Sequence, residues 1–254
     1  MGLRTERRGA VGRLLIDRAS KRNAFTQAMW EELPVALDRL LADSAVRVIL
    51  MASAGGGAFS AGADIAEFAA GARDPAWRAR NQTAIAEAQR RLARAGKPVI
   101  AAIEGDCVGG GCGLAIACDL RVAGPEARFG ITPAKLGLVY SLHDTKLLVD
   151  LVGPSQAKRI LFTAQLLPAA EALRIGLADV LADDPLAEAE ALAEAIAGVS
   201  SHSVRESKLM VRRILDGQVE DDAETEALFG DAFAGADFAE GVDAFLNRRA
   251  ARFS

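Results

Sequence analysis

The sequence predicts an α/β layered fold, and three observations carry that prediction. Two apolar runs, 46–52 and 99–103, lack the alternation of a half-exposed strand and read as strands buried on both faces, as in a parallel sheet. Stretches of helical periodicity lie between the strands, long enough to serve as crossovers with the usual right-handed connection. Each apolar run also leads into a glycine-rich loop, at 54–65 and at 105–113.

In chain order, residues 11–17 form a short strand with partial alternation, and 18–23 a polar turn. Thr26 is placed to cap a helix whose apolar face is Met29, Leu33, Ala36, Leu37, Leu40 and Leu41. The central strand 46–52 follows, and then the first glycine loop. Residues 75–95 form a charged helix closed by Gly96-Lys97-Pro98 ahead of the strand 99–103. The stretch 103–115 reads as strand, glycine turn and the start of a buried helix, with Gly109-Gly110-Gly111 at the helix entrance. Short strands at 120–123 and 127–129 flank Gly124-Pro125. Helices dominate from Leu147 onward, at 154–163, 169–176, 186–197, 204–215 and 221–246. This divides one functional domain into an α/β core, 1–195, and a helical C-terminal region, 196–254.

Composition narrows the function. The 254 residues carry a formal net charge of −4 with both signs interspersed, so no basic stripe marks a nucleic-acid partner. No apolar run approaches the roughly 20 residues that span a bilayer, and the N-terminus has no apolar signal core, so no membrane partner and a cytoplasmic location are expected. Cys107, Cys112 and Cys118 lie in apolar or glycine-rich surroundings with no histidine near them. They read as small buried thiols in a reducing compartment, with no metal expected.

Consecutive glycines at a helix start leave backbone N–H groups unpaired at the positive end of the helix dipole, with no side chain to shield them. A phosphate, a carboxylate or an oxygen that becomes negative during a reaction suits such a place. No Lys-Ser/Thr pair closes the tract, which disfavours a nucleotide P-loop. Leu114 stands where a dinucleotide fingerprint needs its third glycine. A tight strand-to-helix turn with no ligand is the plain structural alternative. The second loop favours function, because Ala63 offers a backbone N–H just before Asp64. Two N–H groups from separate loops that converge on one carbonyl oxygen make an oxyanion hole.

Phe59-Ser60-Ala61-Gly62-Ala63-Asp64-Ile65, then Glu104-Gly105, Gly109-Gly110-Gly111-Cys112 and Ala117-Cys118-Asp119-Leu120-Arg121, resemble the crotonase superfamily, the enoyl-CoA hydratase/isomerase family. Arg22-Asn23-Ala24 and Glu240-Gly241-Val242-Asp243-Ala244-Phe245-Leu246 extend the resemblance over nearly the whole chain. It implies a crotonase (ClpP/crotonase-like) fold of repeated ββα units. It also implies an acyl-CoA thioester substrate, with coenzyme A as part of the substrate and no separate cofactor. The Ala63 and Gly110 N–H groups would hold the thioester oxygen as it becomes an enolate. Arg22, Ala24, Ala61, Asp64, Ile65, Gly109, Pro133 and Gly137 would line the substrate's path, and Phe253 would reach the adenine of a neighbouring subunit in a homotrimer or homohexamer.

The chain departs from a family hydratase at two places. Hydration uses two glutamates as acid–base groups, and their positions are held here by Gly113 and Pro133. The segment 132–140, Thr-Pro-Ala-Lys-Leu-Gly-Leu-Val-Tyr, resembles the corresponding part of methylmalonyl-CoA decarboxylases of the superfamily, although Ala63 and Val139 differ from that pattern. Decarboxylation of a 2-carboxyacyl thioester makes the enolate without a base. The expected reading is therefore an enzyme that decarboxylates such a thioester, with Thr132 orienting the carboxylate and Tyr140 binding it or standing near the proton donor. The alternatives are a hydratase or isomerase with non-standard acid–base groups, and an acyl-CoA-binding protein without turnover. Among other side chains, Asp64 reads as a helix cap and Glu104 as a structural carboxylate. His202 lies in a serine-rich turn, and His143 and Asp144 are neighbours expected to face different ways.

Overall fold

The computed structural model of the chain describes residues 2–253. β1 (Leu3–Arg8) and β2 (Val11–Ile16) form an antiparallel hairpin with Leu3 opposite Ile16 and Arg8 opposite Val11. Gly9, at φ 56°, supplies the left-handed residue that a two-residue hairpin turn needs. The polar start of the chain, in which the sequence shows no strand, is thus an edge strand with one solvated face. α1 (Gln27–Ala42) follows, with the Thr26 side chain accepting from the Met29 N–H at 3.3 Å. β3 (Val48–Ser53) pairs in parallel with β2 and is buried throughout.

Next come α2 (Ile65–Gly71), α3 (Pro75–Ala93) and β4 (Val99–Ile103), which pairs in parallel with β3. The stretch after β4 is more structured than its glycines suggest. It contains a short strand, β5 (Asp106–Val108), before α4 (Gly110–Ala117) begins. β6 (Leu120–Ala123), β7 (Arg128–Gly130), α5 (Leu142–Thr163), β8 (Leu167–Pro168), α6 (Ala169–Arg174), β9 (Val180–Leu181) and α7 (Pro185–Ala197) complete the core. The helix expected at 154–163 starts a dozen residues earlier, at Leu142, and is broken at Gly153, φ 72°, just ahead of Pro154. The main sheet runs β1-β2-β3-β4-β6-β9, and a smaller sheet runs β5-β7-β8.

β3 shows why its run has no alternation. Ile49 and Met51 face one hydrophobic cluster with α1, α3 and α4, while Val48, Leu50 and Ala52 face a second cluster closed by Ala189, Ala193 and Ala197 of α7. Leu50 is fully buried in the second cluster. Leu50→Ala is therefore expected to cost about 2–5 kcal/mol through lost burial and a residual cavity, read as a lower urea midpoint with an unchanged slope.

α8 (Ser201–Leu215), α9 (Ala223–Ala232) and α10 (Ala236–Leu246) make the C-terminal region. The single periodic stretch 221–246 is two helices, separated at Ala234-Gly235. The region is tied to the core at several points. The Lys208 ammonium donates to Asp119 at 2.7 Å and to the Lys97 carbonyl at 2.9 Å, and Arg94 pairs with Asp216 at 2.9 Å. Arg47 donates to the carbonyls of Ala197 at 3.0 Å and Phe253 at 2.7 Å. No helix among the described residues is long and apolar enough to cross a membrane.

Candidate active site

Two loops meet where β5 ends. The Ser60 N–H donates to Asp106 O at 3.0 Å and the Val108 N–H to Ser60 O at 2.9 Å, which lays the first glycine loop along β5. On its other side the loop pairs with residue 25, the Phe25 N–H donating to Gly62 O at 2.7 Å and the Asp64 N–H to Phe25 O at 2.8 Å. That pairing turns the Ala63 N–H the other way. Gly62, at φ 88°, permits the closest approach. A β-carbon there would lie 2.7 Å from Val108 O and 3.0 Å from the Gly110 nitrogen, so no other residue fits without parting the loops. A β-carbon on Gly110 would meet the Trp30 ring at 2.9 Å and would stand 3.9 Å from the Ala63 nitrogen.

Among the described residues, neither the Ala63 N–H nor the Gly110 N–H donates a hydrogen bond. Gly110 opens α4, so its N–H carries the positive end of the helix dipole. Two unpaired donors on adjoining backbone, one of them at a helix start, can stabilise an oxygen that becomes negative. Gly109 caps the helix at φ 57° and donates to Gly130 O at 2.7 Å, which fixes α4 to β7.

The structure distributes the other expected residues unevenly. Ala24 and Ala61 stand beside the first loop, with the Ala61 N–H donating to Arg22 O at 2.9 Å and Arg18 to Ala24 O at 2.9 Å. The Arg22 guanidinium is exposed and turns to Asp106 in an ion pair. Arg22 and Asp106 line a cavity of about 570 Å³ at the beginning of β5, with Gly56, Gly57 and Arg128. Asp64 caps α2, accepting from the Ala66 and Glu67 N–H groups at 3.0 and 3.2 Å, and pairs with Arg18 at 2.7 Å. The Arg18 hydrogen bond and the Glu67 N–H hold its carboxyl below the usual carboxylate range. Ile65 is an exposed apolar side chain at the start of α2. Thr132 precedes a 3-10 turn that Pro133 opens and Gly137, φ 68°, closes. The Thr132 hydroxyl lies 3.9 Å from where a Gly109 β-carbon would be, so it stands beside the start of α4. Phe253 lies elsewhere, against Gly241 in a cavity of about 700 Å³ among the C-terminal helices with His202 and Phe238. Within one subunit it has no part in the site.

The position of the first hydratase glutamate is filled by other groups. A β-carbon on Gly113 would overlap the Gln89 amide and lie 3.1 Å from the Tyr140 hydroxyl. Gln89, on α3, is buried, and its amide is satisfied when its NH₂ donates to both oxygens of Asp144, at 2.8 and 2.7 Å. Asp144 also meets His143, Nδ1 to Oδ1 at 3.0 Å, and its N–H donates to Ser141 Oγ at 3.0 Å. The neighbours His143 and Asp144 therefore do meet, against the sequence expectation. They sit in the first turn of α5, where the Ser141 cap brings Asp144 inward and leaves the imidazole free to fold over it. The Tyr140 hydroxyl is buried with no partner among the described residues, and burial with the nearby Asp144 carboxylate pushes its pKa well above the ordinary phenol value. Sequence reasoning had found Tyr140 but missed Gln89, which sits in a helix of unremarkable charged pattern.

The cysteines are buried and free, and no group of three or more His, Cys, Asp or Glu that could hold a metal occurs among the described residues. Burial pushes the Cys107 thiol up and the Cys118 thiol up to about 12. Neither supplies a thiolate near neutral pH. The native protein is expected to resist iodoacetamide at pH 8 and to take it up at these positions only when unfolded, as read by mass spectrometry.

Comparison with known proteins agrees with this geometry. Residues 6–254 match the family described as Enoyl-CoA hydratase/isomerase. The chain is 36% identical over 244 residues to a crotonyl-CoA hydratase from Syntrophomonas wolfei, covering 94% of this chain and 93% of that protein. It is 36% identical to a putative enoyl-CoA hydratase from Thermus thermophilus, covering 97% and 98%. A solved putative enoyl-CoA hydratase/isomerase family protein from Hyphomonas neptunium superposes with a TM-score of 0.97 at 41% identity, covering 100% of this chain and 98% of that one. The two sequence relatives are named as hydratases, which gives the decarboxylase-like reading of 132–140 no support.

Proposed function

The chain belongs to the enoyl-CoA hydratase/isomerase family, the crotonase superfamily, and from that premise we propose that it converts an acyl-CoA thioester through an enolate held by the Ala63 and Gly110 N–H groups. The observation that carries the proposal is the pair of unpaired backbone donors brought together by Gly62. As the oxygen of water bonds to the β-carbon, or as the α-carbon loses a proton in the reverse direction, negative charge moves to the thioester oxygen, and donors already fixed in place stabilise it without reorganising. The substrate is an enoyl- or 3-hydroxyacyl-CoA, and the reaction is reversible addition of water. The names of the relatives support this reaction.

Hydration here lacks the glutamate pair, because neither glycine nor proline moves a proton. The Tyr140 hydroxyl reaches the space over Gly113 in their place, held neutral by burial. A positioned acid–base group contributes typically about 10²–10⁴-fold, so turnover is expected to be slow by that order against a hydratase with both glutamates. Purified protein incubated with crotonyl-CoA and, separately, methylmalonyl-CoA, followed by mass spectrometry, tests the reading. Gain of water by crotonyl-CoA supports it, and an unchanged thioester overturns it.

Decarboxylation is the second reading, favoured by one observation: Gly113 and Pro133 remove the bases that loss of carbon dioxide does not need. Against it, a substrate carboxylate over Gly113 would face the Gln89 amide with the Asp144 carboxylate directly behind. Carbon dioxide loss from methylmalonyl-CoA faster than hydration of crotonyl-CoA would establish it.

Assembly belongs to the same proposal. The C-terminal helices leave Val219, Phe229, Phe245 and Leu246 between 70% and 91% exposed, an apolar face that a lone subunit does not cover. A homotrimer or its dimer is expected, with a mass three or six times that of the chain by light scattering.

A further inference from the structure

The acyl end of the site is closed by a side chain that no part of the comparisons singles out. Gly110 and Gly113 are three residues apart on α4, so they share a face, and Gly113 lies about 4.5 Å further along the axis. With the thioester oxygen at Gly110, that rise reaches the third and fourth carbons of an acyl chain. Over Gly113 stand the Gln89 amide and the Tyr140 hydroxyl. Gln89 cannot swing away cheaply, because its NH₂ nitrogen sits against both Asp144 oxygens, at 2.8 and 2.7 Å, and it is 1% exposed. This orientation leaves its carbonyl oxygen turned toward Gly113. The Tyr140 hydroxyl beside it is a buried donor without a partner, a state that costs stability unless a ligand supplies an acceptor.

We propose that Gln89 and Tyr140, fixed over Gly113 with Asp144 as the positioning residue, are the specificity determinants of the acyl site, selecting a short, uncharged acyl group of about four carbons with a hydroxyl at carbon 3. The inference rests on the acyl-CoA reading above and names its substrate class. Gln89 acts as a wall. A longer chain would have to displace an amide whose departure leaves the Asp144 carboxylate buried without the donor that faces both its oxygens. The pair also matches a hydroxyl, with the Gln89 oxygen accepting from it and the Tyr140 hydroxyl donating to it. A carboxylate at the same point offers acceptors only, so it leaves the Gln89 oxygen unmatched and adds charge near Asp144. Rejection by an unmatched buried polar group is far stronger than by a missing methylene.

The test uses equilibrium binding by calorimetry, which needs no turnover, with the full chain and four thioesters: butyryl-, 3-hydroxybutyryl-, octanoyl- and methylmalonyl-CoA. The wild-type protein is expected to bind butyryl-CoA at least about tenfold more tightly than octanoyl-CoA or methylmalonyl-CoA, and 3-hydroxybutyryl-CoA more tightly still. Gln89→Ala is expected to shrink the butyryl-to-octanoyl ratio by about tenfold. Tyr140→Phe is expected to remove the advantage of 3-hydroxybutyryl-CoA over butyryl-CoA. Equal wild-type affinity for butyryl- and octanoyl-CoA overturns the proposal without any variant, so it stands or falls even if Gln89→Ala does not fold. A folded Gln89→Ala with an unaltered ratio also overturns it. If no thioester binds, the acyl-CoA reading itself fails, and the inference with it.

Discussion

Gly62→Ala is expected to lower kcat/KM for the thioester by about 10²–10³-fold, the loss that follows removal of one oxyanion-hole donor. The added methyl would lie 2.7 Å from Val108 O and 3.0 Å from the Gly110 nitrogen, against rigid backbone on both contacts. To relieve it, the first glycine loop must move off β5, and the Ala63 and Gly110 N–H groups then no longer converge. The φ of 88° adds strain of about 1–2 kcal/mol for any residue with a β-carbon. Because the donors act mainly as charge develops, most of the loss belongs in kcat, with KM changed much less. Steady-state kinetics with the turned-over thioester reads the difference. A KM effect alone would place the two N–H groups outside the chemistry.

The second large effect concerns the missing glutamate. Gly113→Glu is expected to leave hydration no faster and to destabilise the protein, with a Tm at least about 5 °C lower. Its β-carbon overlaps the Gln89 amide, and overpacking in a dense interior costs about 1–3 kcal/mol. Its carboxylate also enters a buried region close to Asp144, where an uncompensated ion costs several kcal/mol more. Each kcal/mol is worth about 2–4 °C in a chain of this size. Adding Gln89→Ala to Gly113→Glu is expected to recover part of the loss, so the two changes couple by about 0.5–3 kcal/mol in a double-mutant cycle. Additive behaviour would mean that the two side chains do not compete for one space. Faster hydration is therefore not expected from this one substitution, whatever the identity to hydratases elsewhere in the chain.

Much of this was legible in the sequence because it rests on backbone. The strands β3 and β4 are buried on both faces and declare themselves by unbroken apolar runs. The two glycine loops declare themselves by residues that close backbone approach requires, as at Gly62. What stayed hidden depends on side chains meeting from distant elements. Gln89, Gly113 and Asp144 come from three helices, and nothing local in any of them reports the others. β1 was invisible for a different reason: an edge strand with one wet face can be as polar as a loop. The His143–Asp144 contact escaped a rule that holds inside helices, because a capped first turn frees side chains to fold back. The expected role of Phe253 needs a second subunit, and one chain's fold places it against its own Gly241 with its carbonyl on Arg47.

The Lys208 bond to Asp119 bears on how the molecule comes apart. Asp119 follows directly on α4 and its neighbouring Cys118, and it also accepts the Val99 N–H at 2.7 Å where β4 begins. One carboxylate thus holds the start of the strand that feeds the oxyanion stretch, the exit of its helix, and the middle of α8. Opening α8 by itself would take the Lys208 ammonium from that carboxylate and from the Lys97 carbonyl together. Across the division at residue 195, α8 and the strand that leads into the glycine stretch therefore share one carboxylate.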